Sequence, residues 1–64
     1  MSKRLIKLKE VETLTSLKKT AIYKRISDGT FPSQIGVGGN RVAWEEQEIQ
    51  LWIDDRIKEA RAQA

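Results

Sequence analysis

The apolar positions of this chain follow a helical spacing, switch to alternation, and return to a helical spacing. Leu8, Val11 and Leu14 recur every three residues, which predicts a short amphipathic helix from Leu8 to about Leu14. Leu5 and Ile6 read as an apolar lead-in. The polar stretch from Thr13 to Ser16 predicts a tight turn, with Leu17 plugging the junction to a second helix over Lys18 to Asp28. On that helix, at about 100° per residue, Ala21, Ile22, Arg25 and Ile26 share one side and Thr20, Tyr23, Lys24 and Ser27 the other. Gly29 stands where a left-handed residue ends a helix. Pro32 opposes continuation.

From residue 33 the period changes to two. Ile35 and Val37 alternate with Gln34 and Gly36, and Val42 and Trp44 with Arg41 and Ala43. Gly38-Gly39-Asn40 between them suits the positive φ angles of a hairpin turn. Gly36 weakens the first strand, so the hairpin is expected to be short and irregular. The closing segment is the clearest helix, with Ile49, Trp52, Ile53 and Ile57 as its apolar stripe. Its acids Glu45, Glu46 and Glu48 lead and its cations Arg56, Lys58 and Arg61 trail, as the helix dipole favours. Phe31, Trp44 and Trp52 are assigned to the core, where aromatic area counts most. Residues 1–4 and 60–64 are expected to fray.

The 64 residues fit one domain, 1–64, which buries only about 60% of the surface its unfolded chain exposes. The sequence has no Cys and no His. That excludes a disulfide scaffold, a Cys/His zinc site and a Cys-His or Ser-His catalytic unit. With little chain to wall a pocket, the expectation is a binding module and not an enzyme, without cofactor or metal. Asp54-Asp55 reads as a solvated helix face, and Gly38-Gly39 as a turn, since no GKS or GKT ending or following helix makes it a phosphate loop. No apolar run suits a membrane span or a signal peptide, so a cytoplasmic location is expected.

Charge sharpens the picture. The chain carries 12 Lys and Arg against 9 Asp and Glu, a net +3. Residues 1–30 hold eight cations and three acids, whereas residues 45–64 hold three cations and six acids. This split predicts one face for a polyanion and another turned away from it. Taken singly, Lys18, Lys19 and Lys24 read as solvated lysines and Tyr23 as a half-buried amphipathic ring. Arg25 falls toward the core side, where Glu10, Glu12 or Asp28 offers a partner.

Taken together, two short helices joined by a tight turn and followed by a hairpin describe a helix-turn-helix with a wing. The predicted fold is therefore mainly α with a short β-hairpin, a winged helix-turn-helix closed by a C-terminal helix. Ile22 and Ile26 anchor the second helix. Lys18, Lys19, Thr20, Tyr23, Lys24 and Ser27 offer hydroxyls and cations to phosphates and base edges in a major groove. Asn40 and Arg41 at the hairpin tip are placed to reach phosphates or a minor groove.

The order and spacing of several short motifs resemble the AlpA family of small phage and genomic-island regulators. That family is related to excisionase-type and MerR-like winged-helix domains. The resemblance covers about residues 4–57. It is carried by Arg4-Leu5-Ile6 with Lys9-Glu10-Val11, by Thr15-Ser16-Leu17-Lys18-Lys19-Thr20-Ala21-Ile22-Tyr23, and by Gly29-Thr30-Phe31-Pro32. Gly39-Asn40-Arg41-Val42-Ala43-Trp44, Glu48 and Trp52-Ile53 complete it. It implies a recognition helix beginning near Lys18, with Lys19, Thr20, Tyr23 and Lys24 toward double-stranded DNA and Arg41 at the wing. The chain departs from the family where Ser16 replaces a frequent Gly, Lys18 a frequent Ser cap, and Ala21 a frequent Thr.

The resemblance further implies a sequence-specific regulator of integrase expression, or a recombination directionality factor that promotes excision. Its expected partners are the integrase promoter or the attachment site, with an integrase contact and self-association on DNA as additions. Leu51, off the core stripe, is a candidate self-contact. The competing reading is a winged-helix interaction module that docks an acidic protein, which the basic face would serve equally well.

Overall fold

The computed structural model describes residues 3–63. Its elements run β1 (Leu5–Ile6), α1 (Leu8–Thr15), α2 (Lys19–Ser27), β2 (Ile35–Gly38), β3 (Arg41–Glu45) and α3 (Glu46–Ala62). The architecture is mainly helical with a three-stranded antiparallel sheet in the order β1-β3-β2. It is a winged helix-turn-helix, as the alternation of periods predicts.

The turn between α1 and α2 forms around one left-handed residue. Ser16 adopts φ 63°, and its N–H donates to the Glu12 carbonyl at 2.8 Å. Glycine adopts this conformation without the Cβ penalty, of about 1–2 kcal/mol, that Ser carries. The Thr15 hydroxyl donates to Val11 O at 2.8 Å and accepts from Leu17 N at 3.3 Å. Those bonds hold the turn that Ser16 enters at a cost.

The exit of α2 is a Schellman motif. Thr30 N–H donates to Arg25 O at 2.9 Å and Gly29 N–H to Ile26 O at 3.1 Å, with Gly29 at φ 78°. The bonds satisfy carbonyls that the helix end leaves open. In the hairpin, Gly38 and Gly39 supply positive φ angles, at 123° and 57°, and Asn40 does not. The register shifts between Gly36 and Gly38, so the wing is irregular where Gly36 and Gly38 weaken strand geometry.

Six buried residues form the core: Ile6, Val11, Ile22, Phe31, Trp44 and Ile49. Each comes from a different segment, so every element but β2, which is exposed throughout, is tied to the same centre. Trp44 is fully buried and its indole N–H donates to Pro32 O at 3.1 Å. Trp52 differs from the expectation of a core residue. It is half-buried at the margin, where its indole N–H donates to Thr30 O at 2.8 Å and its ring meets Phe31 edge-on at 4.8 Å. Its role is to clamp the exit of α2 against α3.

The lead-in at Leu5–Ile6 is a strand: Leu5 pairs with Glu45 and Ile6 with Trp44. Next to it, Arg4 O accepts the first N–H of α3, from Glu46, at 2.8 Å. The Arg4 guanidinium reaches Glu46 at 2.9 Å and Glu10 at 3.3 Å. Lys3 reaches Glu45 at 3.3 Å. Residues 3 and 4, expected to fray, thus take part in the seam between α1 and α3. At the other end α3 is helical through Ala62, past the expected fraying point at residue 60. Met1, Ser2 and Ala64 lie outside the described residues. The α3 stripe outlasts the core, since Ile49 is buried, Ile53 half-buried and Ile57 exposed. No described helix is long and apolar enough to cross a membrane.

Candidate nucleic-acid interface

The second helix, α2, is positioned from below. Ile22 is fully buried and Ile26 half-buried, so α2 rests on the core along that line. Lys19, Thr20, Lys24 and Ser27 are all exposed. Thr20, Lys24 and Ser27 lie within about 40° of the direction opposite Ile22 at 100° per residue. Lys19 adds a cation to the first turn. Lys18 is the N-cap residue, extended at φ −91° and ψ 165°, and no side chain caps the helix there. Its carbonyl accepts from Ile22 N at 2.9 Å, while the remaining first-turn N–H groups stay open toward solvent or a ligand.

Tyr23 is placed differently from the other predicted contacts. It is half-buried, and its ring meets Trp44 edge-on at 6.2 Å between centroids. Helical geometry puts it about 100° from Ile22, at the border of the exposed face. It is a brace between α2 and β3 whose outer part edges that face. Trp44 lies three residues along β3 from Arg41, about 10 Å at strand rise. The same indole therefore braces α2 and roots the wing. Asn40 and Arg41 are exposed at the hairpin tip.

Some cations are paired within the fold and others are not. Among the described residues the ion pairs are Lys3–Glu45, Arg4–Glu10, Arg4–Glu46 and Arg56–Glu59. All involve β1, its flank, or α3. Lys18, Lys19, Lys24 and Arg41 have no ion-pair partner among the described residues. Neither has Arg25, although Glu10, Glu12 and Asp28 were its expected partners. Glu10 is held instead by Arg4 across the α1–α3 seam, which the sequence pattern gave no way to see. Exposed cations without an ion-pair partner keep most of their field for a polyanion. The described residues hold no cluster of three or more Asp or Glu fit for a metal ion.

A helix-turn-helix with an open, cationic second helix and an Arg-tipped hairpin defines the class: a winged helix-turn-helix domain of the nucleic-acid-binding kind. Comparison with known proteins narrows it. Residues 4–57 match the family described as prophage CP4-57 regulatory protein (AlpA), and the chain belongs to that AlpA family of phage-type regulatory DNA-binding proteins. It is also similar to the uncharacterized protein ORF88 of Enterobacteria phage P4, with 39% identity over 54 residues, 84% of this chain. The chain spans 61% of the length of that relative.

Proposed function

We propose that this chain is a sequence-specific regulator of a prophage or integrative element that binds double-stranded DNA in the cytoplasm. α2 enters the major groove, and Lys19, Thr20, Lys24 and Ser27 meet base edges and phosphates there. Lys18 meets a phosphate at the open helix N-terminus. Tyr23 sets the depth of α2 and contributes its outer edge, while Asn40 and Arg41 hold the flanking backbone or minor groove. The observation that carries this reading is the exposed set Lys18, Lys19, Lys24 and Arg41, placed on the second helix of a helix-turn-helix and on its wing. These cations are unpaired among the described residues, as are Lys7, Lys9, Lys58 and Arg61, so their place in the fold marks the surface, whereas Lys3, Arg4 and Arg56 are paired.

The finer role follows the family: control of integrase expression, or excision as a recombination directionality factor. A gel-shift titration separates them, using the attachment site of the host element, its integrase promoter and a scrambled duplex. A ladder of discrete complexes on the attachment site marks an excision factor, and preference for the promoter a transcriptional regulator. Neutralising roughly four to six phosphates gives a slope of log K against log salt of about −4 to −5. The absence of any salt-sensitive complex, even at low salt, would overturn the DNA reading in favour of docking to an acidic protein.

A further inference from the structure

Two apolar features complement one another, one sharing only Arg41 with the proposed recognition surface and the other lying outside it. The first is a groove of about 580 Å3 between the β1–α1 junction and the hairpin, lined by Leu5, Lys7, Val37, Arg41, Val42 and Ala43. Leu5, Val37 and Val42 are 53%, 44% and 38% exposed. The charged residues on its rim, Lys7 and Arg41, are both cations, and neither has an ion-pair partner among the described residues. The second is Leu51, 59% exposed. Helical geometry places it opposite the core stripe of α3, with Glu48 at i−3, Asp54 at i+3 and Asp55 at i+4 as its surface neighbours. All three acids are exposed and none has an ion-pair partner among the described residues.

A solitary exposed leucine is ordinary. Leu51 differs because acids surround it, while the groove presents apolar floor with a cationic rim. Both features are exposed in the same molecule, so neither satisfies the other within one copy. We propose that the acid-ringed Leu51 of one copy docks into the Leu5/Val37/Val42 groove of the next, head to tail. The contact joins two different patches, so it repeats along a row of copies and does not close into a two-fold pair. It is small and therefore weak in free solution, and a shared duplex supplies the effective concentration that populates it. The setting on DNA rests on the proposed function; the pairing of the two patches does not.

The test compares binding to random-sequence duplexes of about one and about four helical turns, at roughly 10 base pairs per turn. Leu51→Gln and Val37→Thr change exposed residues outside the proposed DNA face, and thermal melting verifies their folds. Wild type should bind the longer duplex cooperatively, by about tenfold per neighbour for one leucine's worth of burial. Each variant should keep the short-duplex affinity and lose the cooperativity. A mixture of the two should regain part of it, because the Leu51 of Val37→Thr can dock into the intact groove of Leu51→Gln while the reverse contact stays lost; the double variant should regain none. Non-cooperative wild-type binding, cooperative variants, or a mixture that stays non-cooperative would each overturn the proposal. If no duplex is bound at all, the DNA reading fails separately. Two copies joined by a flexible linker, which supplies the effective concentration a duplex otherwise gives, then decide the pairing: NMR shifts at the Leu5/Val37/Val42 groove that Leu51→Gln abolishes support it, and a groove unperturbed in the linked wild type refutes it.

Discussion

The α1–α3 seam and the α2–wing surface are built from the same residue types and treat them in opposite ways. At the seam, Arg4 sits between Glu10 and Glu46, its carbonyl receives the first N–H of α3, and Lys3 reaches Glu45. On α2, Lys18 stands at an uncapped helix start, and Lys19 and Lys24 extend into solvent without acids. One region spends its charges on holding elements together. The other leaves them unpaired, with Lys18 and Lys19 at the helix start, where a cation opposes the dipole. Net charge is blind to this distinction; the partner of each cation is what separates a structural charge from one available to a polyanion.

The comparison presupposes that one core holds both regions, and the largest expected effect tests that. Trp44 is fully buried, donates to Pro32 O, and touches Tyr23 of α2. Trp44→Ala should lose about 3–5 kcal/mol, enough to unfold much of a domain this small. Urea denaturation by circular dichroism measures it. A variant that melts normally would show the wing and α2 to be held independently of this indole.

The next effect is confined to the open surface. Replacing Lys18, Lys19, Lys24 and Arg41 by Ala together should flatten the salt slope of DNA binding by about 0.9 for each phosphate contact removed. Stability should change by no more than about 0.5 kcal/mol per site, since these side chains are exposed and make no ion pair among the described residues. Fluorescence anisotropy across a salt series, paired with thermal melts, reads both quantities. An unchanged slope would remove this surface from DNA.

Much of this division was readable in the chain and some was not. The helical and alternating spacings placed α1, α2, the hairpin and α3, because each has enough residues for its period to register. Gly29 announced the α2 exit for the same local reason. β1 was unreadable: two residues show no alternation, and Leu5–Ile6 becomes a strand only through Glu45 and Trp44, some 40 positions away. Tyr23 on a helical wheel belongs to the polar side, yet Trp44 from the hairpin claims its ring. Arg25 pairs with none of Glu10, Glu12 and Asp28 among the described residues, and Glu10 pairs with Arg4 instead. Each of these depends on contacts distant in sequence. The exposed face of α2, by contrast, follows from Ile22 and Ile26 alone.

Lys18→Ser sharpens the comparison by separating stability from binding. A serine cap in place of an uncapped start should stabilise α2 by about 1 kcal/mol, and removing a cation from the positive helix end adds about 0.3 kcal/mol or more. Thermal stability should therefore rise while DNA affinity falls. If both rise, Lys18 has no part in binding, and its presence at the helix start is unexplained.

The smallest effect belongs to the seam. Arg4→Ala removes two ion pairs, but the Arg4 side chain is 63% exposed, and pairs of that kind are worth about 0–1 kcal/mol. The backbone carbonyl that receives Glu46 N–H remains, so the first turn of α3 keeps its cap. Stability should drop by about 0.5 kcal/mol at low salt and by less as salt screens the pairs. DNA affinity is the discriminating measurement. Arg4→Ala and Lys24→Ala each remove one positive charge from the basic half of the chain. If net charge alone attracts DNA, both weaken binding alike. If unpaired charge attracts it, Lys24→Ala weakens binding and Arg4→Ala does not, because Glu10 and Glu46 already neutralise Arg4 before any phosphate arrives.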